Sequence, residues 1–261
     1  MTRLAANLTM LFTEAPFLQR FELAARHGFR GVEFLFPYAF GATELAEQLA
    51  THRLELVLHN LPAGDWAAGE RGIACHPQRV GEFREGVELA LEYAQALGVP
   101  QLNCLAGIVP DGVSRAQALD TLAANLQFAA ARLKQAGLRL LIEPINAYDI
   151  PGFVLNRTGE ALAVIAATGA DNLFLQYDIY HMQRSEGELA NTLKQHLALI
   201  KHVQLADNPG RGEPGSGEIN YAFLFDWLER IGYEGWIGCE YKPRTNTLNG
   251  LQWRAQYGLQ A

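Results

Sequence analysis

No run of about 18 unbroken apolar residues, the length a helical membrane span needs, occurs in this chain. The apolar N-terminal stretch is interrupted by Asn7, Thr9 and Glu14 and leads to no small-residue cleavage site, so it reads as a first strand and not as a signal peptide. A cytoplasmic protein is the expectation, and the sequons at Asn7 and Asn156 then carry no glycan. Cysteine is scarce. Cys75, Cys104 and Cys239 are odd in number, scattered and free of any CxxC, which excludes a disulfide framework and points to free thiols in a reducing compartment. Basic residues are in deficit, 21 Lys and Arg against 28 Asp and Glu for a net charge of −7, and sequence-independent nucleic-acid binding needs the opposite balance. Serine is limited to Ser114, Ser185 and Ser216, none in a GxSxG, so serine-hydrolase chemistry has no support. Repeats of 20–50 residues, low-complexity tracts and Pro/Ser linkers are missing as well, so no domain boundary is placed within 1–261.

What the chain does have is bulk. It is 49% hydrophobic, with 13 Phe, 9 Tyr and 4 Trp, which rules out disordered and collagen-like readings. Short β-rich runs begin near Leu4, Gly31, Leu54, Gln101, Leu138, Leu173, Lys201 and Trp236. Amphipathic patterns separate them, clearest over 79–97 and 116–135, where apolar residues recur at spacings of three and four. Gly98 and Gly137 mark two helix ends. Alternating strands and helices imply parallel βαβ units, and eight rounds in about 250 residues is the arithmetic of a (β/α)8 TIM barrel. An open doubly wound sheet, with fewer strands, is the alternative. The longest connection, 60–77, contains Pro62, Gly64, Trp66, Gly69 and Gly72; it reads equally as a lid or as a packed loop anchored by Trp66.

Polar residues interrupt the apolar strands at their ends. LRLLIEP places Glu143 there, LFLQYD places Asp178, KHVQLAD places Gln204 and Asp207, and WIGCEY places Glu240. A buried carboxylate is costly unless a charge or a metal compensates it, and in a barrel these ends converge on the active face. Any one of them alone reads equally as a strand-end residue bonded to loop amides or paired with Lys or Arg. Taken together, Glu143, Asp178, Gln204 and Glu240 form a hard, all-oxygen set that favours Mg2+ or Mn2+ over Zn2+. His59 and Asn60 end the third strand, Asn103 lies in the fourth, and His181 follows Asp178 by three. Arg211, Lys242 and Arg244 supply positive charge near the last two strands. Glu33 lies mid-strand beside Phe34 and faces either the interior or a helix, so it is left out of the set. The literal GxGxxG at 210–215 sits on the seventh unit and contains Glu213 and Pro214, which spoils it as a dinucleotide fingerprint. It reads as a flexible loop that aims Arg211 inward.

The runs HNLPAGDW (59–66), LIEPIN (141–146), QYDIYH (176–181), HVQLADNPGRGEPGSGEINY (202–221) and CEYKP (239–243) resemble the hydroxypyruvate isomerase family of the xylose isomerase-like TIM-barrel superfamily. The resemblance covers essentially the whole chain. It implies Glu143 and Glu240 as an acid/base pair and a divalent metal among Glu143, Asp178, Gln204 and Glu240. It also implies His181 and Arg211 near the substrate, and a homo-oligomer; His59 and Lys242 are further substrate-binding candidates by their place on the same barrel face. Many superfamily members carry His where this chain has Gln204. The implied reaction moves a proton between adjacent carbons of hydroxypyruvate and tartronate semialdehyde through an enediolate, and the substrate's own carboxylate demands a positive clamp, best supplied by the fork of Arg211. Rival readings are a 2-oxo-tetronate isomerase, a ketose 3-epimerase, an apurinic/apyrimidinic endonuclease and a non-catalytic sugar-acid-binding barrel. No nucleic acid or membrane partner is expected.

Overall fold

The structure is a computed structural model that describes residues 2–259. Eight parallel strands close into a barrel in sequence order: β1 (Arg3–Asn7), β2 (Gly31–Glu33), β3 (Glu55–Asn60), β4 (Gln101–Cys104), β5 (Arg139–Ile142), β6 (Leu173–Asp178), β7 (Ile200–Leu205) and β8 (Trp236–Cys239). Closure pairs β1 with β8, in register from Arg3 against Trp236 to Ala6 against Cys239. The helices α1 (Gln19–Arg26), α2 (Ala42–His52), α3 (Val80–Leu97), α4 (Arg115–Gln135), α5 (Thr158–Thr168), α6 (Ile179–Ser185), α7 (Leu189–Gln195), α8 (Tyr221–Arg230) and α9 (Trp253–Gln256) follow in chain order. The fold is the (β/α)8 barrel expected from the alternation. No helix among the described residues is long and apolar enough to cross a membrane.

Helix ends obey local chemistry. Ser114 Oγ accepts from Gln117 N at 3.2 Å to start α4, and α3 stops where Gly98 turns left-handed at φ 66°, a conformation that costs glycine least. Buried on both faces, the strands are apolar nearly throughout. Their outward residues, such as Leu4, Ala6, Leu102 and Val203, pack on the helices in the large core. Inside the barrel a small second core of Ala5, Val57, Leu58 and Leu141 is flanked by Phe174 and Trp236. Gly31 makes room for that tryptophan: a methyl group there would lie 2.7 Å from the indole ring. Above this layer the interior turns polar, and the site lies there. Cys75, Cys104 and Cys239 are buried free thiols.

Candidate active site

Each polar residue is delivered by its strand. Pro144 follows Glu143 and offers no N–H to continue β5, so the glutamate sits at the rim. Asp178 ends β6 and caps α6. Its Oδ1 accepts from Tyr180 N at 2.8 Å and His181 N at 3.4 Å, while its Oδ2 is buried without a partner. Gln204 donates from Nε2 to Glu33 Oε1 at 2.8 Å and accepts at Oε1 from Gln176 Nε2 at 2.6 Å. Gln176 Nε2 also reaches Glu143 Oε2 at 2.9 Å. Glu240, just past β8, accepts from Arg211 Nη2 at 3.0 Å; the same nitrogen lies 3.7 Å from Asp178 Oδ2.

Arg211 is held by its loop. Asp207 takes the backbone N–H groups of Asn208, Gly215, Gly217 and Ile219 at 2.9–3.0 Å. The Arg211 carbonyl accepts from Lys242 N at 2.8 Å. Arg211 itself is left-handed, at φ 53°, a strained state for a long side chain that persists only where surroundings enforce it. Asp207 is therefore the loop's organiser and not part of the carboxylate cluster.

A cavity of about 630 Å3 opens over these groups, and Glu143, Gln204, Glu240, His181, Arg211 and Lys242 line it. That volume falls within the range of small-molecule sites. Lys242 is exposed at the rim. His59, expected near the substrate, does not line the cavity. It is fully buried, against Phe34 and Tyr38, because Leu58 and Asn60 take the cavity-facing positions on either side of it and strand side chains alternate. Burial also lowers its pKa to about 4, so the ring is neutral. Arg244 does not line the cavity either. Glu33, which strand position alone left undecided, faces the interior. It is 1% exposed and bonded to Asn7 and Gln204, with His202 Nε2 2.6 Å away. Gly238 admits it, since a methyl group there would overlap the Glu33 carboxylate. Gln176 and Asn146 were also missed. Gln176 lies two residues before Asp178 on the same face of β6, so period-two alternation is the signal that would have found it.

Burial dominates the electrostatics. It raises the Glu143 carboxyl well above its usual range, with repulsion from Glu240 and Asp178 adding to it and Arg211 opposing. Glu240 is pushed up to about 8, again mainly by burial, with Arg211 opposing and Asp178 adding. Asp178 is raised by burial against the pull of Arg211. His181 is driven well below its ordinary value by burial and by Arg211 and Arg184. Burial would weaken the Arg211 cation, but Glu240, Asp178 and Glu143 outweigh it and its pKa rises. Carboxyls crowded into a low dielectric in this way are poised for a cation or for proton transfer.

The donor set fits a divalent metal. Glu143, Asp178 and His181 offer ligand atoms within 4.8 Å of one another, all buried, and Asp178 Oδ2 is buried without a hydrogen-bond partner. The Gln204 carbonyl oxygen has a second lone pair beyond the one Gln176 uses.

A closed parallel barrel with buried carboxyls at the C-terminal ends of its strands is the architecture of a (β/α)8 enzyme. The chain belongs to the xylose isomerase-like TIM-barrel family, whose model matches residues 21–257. It is 58% identical to the hydroxypyruvate isomerase of Escherichia coli K12, over 98% of this chain and all of that protein. It is 47% identical to a 2-oxo-tetronate isomerase of Cupriavidus necator, over 98% of this chain and 99% of that one. A crystal structure described as AP endonuclease, family 2 from Brucella melitensis is 45% identical, with a TM-score of 0.95 over 98% of this chain and 99% of that one. The protein is an enzyme of the isomerase class acting on a small molecule.

Proposed function

We propose that this isomerase interconverts hydroxypyruvate and tartronate semialdehyde, with Glu143 and Glu240 as its acid/base pair. The observation that carries the reading is the pair itself: two buried glutamates at the ends of β5 and β8, lining one cavity, both with raised pKa values. Moving a proton between adjacent carbons needs one group to remove it and one to deliver it, each near its working pKa at neutral pH. In the metal-free protein, repulsion from Glu240 adds to burial in holding the proton on Glu143, so the two carboxyls resist ionising together until positive charge is supplied between them. The near relationship to the Escherichia coli enzyme supports the same substrate.

Glu143, Asp178, Glu240 and the Gln204 carbonyl would hold Mg2+ or Mn2+, which would supply positive charge against the charge developing on the substrate oxygens. Arg211 binds the substrate carboxylate. Its Nη2 is engaged by Glu240, and the side chain lines the cavity, where a planar guanidinium matches a carboxylate. Tyr180 steadies it from below, with the guanidinium carbon 5.3 Å from the ring centre. Lys242 adds charge at the rim. The net charge of −7 and the carboxylates lining the cavity disfavour a nucleic-acid substrate.

A second reading, isomerisation of a four-carbon 2-oxo acid, is favoured by the cavity of about 630 Å3, far roomier than a three-carbon acid needs, and by the Cupriavidus necator relative. The test is proton NMR in D2O on chelator-stripped protein, with each acid separately, before and after Mg2+ or Mn2+ is added. Metal-restored isomerisation with deuterium entering the product is expected, and the faster substrate decides between the two readings. Absence of turnover and exchange with both acids would sink them together.

A further inference from the structure

His181 is grouped geometrically with Glu143 and Asp178, yet its hydrogen bonds give it another task. Asn146 lies three residues past Glu143, fully buried. Its Oδ1 accepts from Tyr148 N at 3.1 Å and from Asp149 N at 2.9 Å. Two backbone donors therefore fix which end of the amide is oxygen, and the NH2 end must face His181 Nδ1, 2.6 Å away. A nitrogen facing an amide N–H must be bare, because the amide nitrogen has no lone pair to accept with. The ring proton then sits on Nε2, which lies 3.7 Å from Asp178 Oδ2 and 4.0 Å from Glu143 Oε1.

We propose that Asn146 is a positioning residue that locks His181 as its Nε2–H tautomer, so that the imidazole donates a hydrogen bond into the cavity and does not ligate the metal. Ligation through Nε2 would need a lone pair there and a proton on Nδ1, directly against the Asn146 amide. An imidazolium meets the same clash. An N–H so fixed beside the carboxylates would stabilise a substrate oxygen as negative charge develops on it. A neutral imidazole can do this without adding a competing cation. The catalytic half of this inference rests on the isomerase reading above; the tautomer does not.

The test uses protein labelled with 15N-histidine. Imidazole 15N–1H correlation spectra report which ring nitrogen carries the proton, and H181Q assigns the signal among the 7 histidines. In the wild type the His181 proton is expected on Nε2, before and after Mg2+ is added. In Asn146→Asp one carboxylate oxygen can still accept from Tyr148 and Asp149 while the other accepts from Nδ1, so the proton should move to Nδ1. The kcat should fall roughly 10- to 100-fold, as for loss of an orienting partner, while KM changes little. A wild-type protein protonated on Nδ1 overturns the inference without recourse to any variant. So does an Asn146→Asp protein that keeps the wild-type tautomer. Wild-type protein with Nε2–H but no turnover of either 2-oxo acid leaves the tautomer standing and removes the isomerase reading instead.

Discussion

Burial pushes Glu240 up to about 8 from an ordinary 4.5 and raises Glu143 in the same sense. For an acid, a folded-state pKa above the unfolded one means that the folded protein holds its proton more tightly. The stabilisation is complete below about 4.5 and is lost as pH rises toward 8. The metal-free protein should therefore melt at progressively lower temperature between pH 5 and pH 8. Glu240→Gln, which cannot ionise, should show a shallower decline; a parallel decline in the two proteins would contradict the assignment. Metal must displace the same protons, so Mg2+ or Mn2+ affinity should rise over this pH range, with proton release seen by calorimetry in buffers of different ionisation enthalpy. Affinity independent of pH would show that these carboxyls are not the ligands. Glu143→Gln or Glu240→Gln should abolish turnover while circular dichroism stays native, and wild-type turnover in either variant rules out the acid/base pair.

Among the elements, the β7–α8 connection depends most on one residue. Asp207 accepts four backbone N–H groups, and hydrogen bonds to a charged group contribute about 1.5–3 kcal/mol each when broken singly. Asp207→Ala should cost about 3 kcal/mol or more in urea unfolding. It should also depress kcat, because the left-handed Arg211 would lose its support. Unchanged stability would mean that the loop is held elsewhere. Strand β8 is equally specific. Gly238→Ala would drive a methyl group into the Glu33 carboxylate, and overpacking of this kind costs about 1–3 kcal/mol. Since Glu33 orients Gln204, metal affinity should fall along with stability.

For the whole molecule, closure of β1 on β8 makes the two ends of the chain mutually dependent. We expect residues 1–261 to behave as one domain, with a single cooperative unfolding transition by calorimetry; two separated transitions would overturn that expectation. Polarity is also layered across the barrel. Ala5, Leu141 and Trp236 fill the lower interior, while Glu143, Gln176, Gln204 and Glu240 occupy the upper end beneath the cavity. In the loop over 60–77, residues 72–75 are buried, while Trp66 is exposed, 5.1 Å from Phe36 and under the Arg71 guanidinium at 4.1 Å, and lines the cavity together with Arg71.

The alternation of apolar strands with amphipathic helices was legible in the chain because secondary structure is local: period two and period 3.6 are properties of consecutive residues. Glu143, Asp178 and Glu240 were legible for the same reason, each being an acid where an apolar run stops. Parity is less secure at the end of a short strand, so His59 was placed on the cavity when the neighbouring Asn60 lines it. Tertiary structure alone decided the partnerships between residues far apart in sequence. Glu33 meets His202 and Gln204 across 169 and 171 positions, and Asn146 meets His181 across 35. Hydrogen-bond complementarity depends on which atoms face one another, and only barrel closure brings those atoms together.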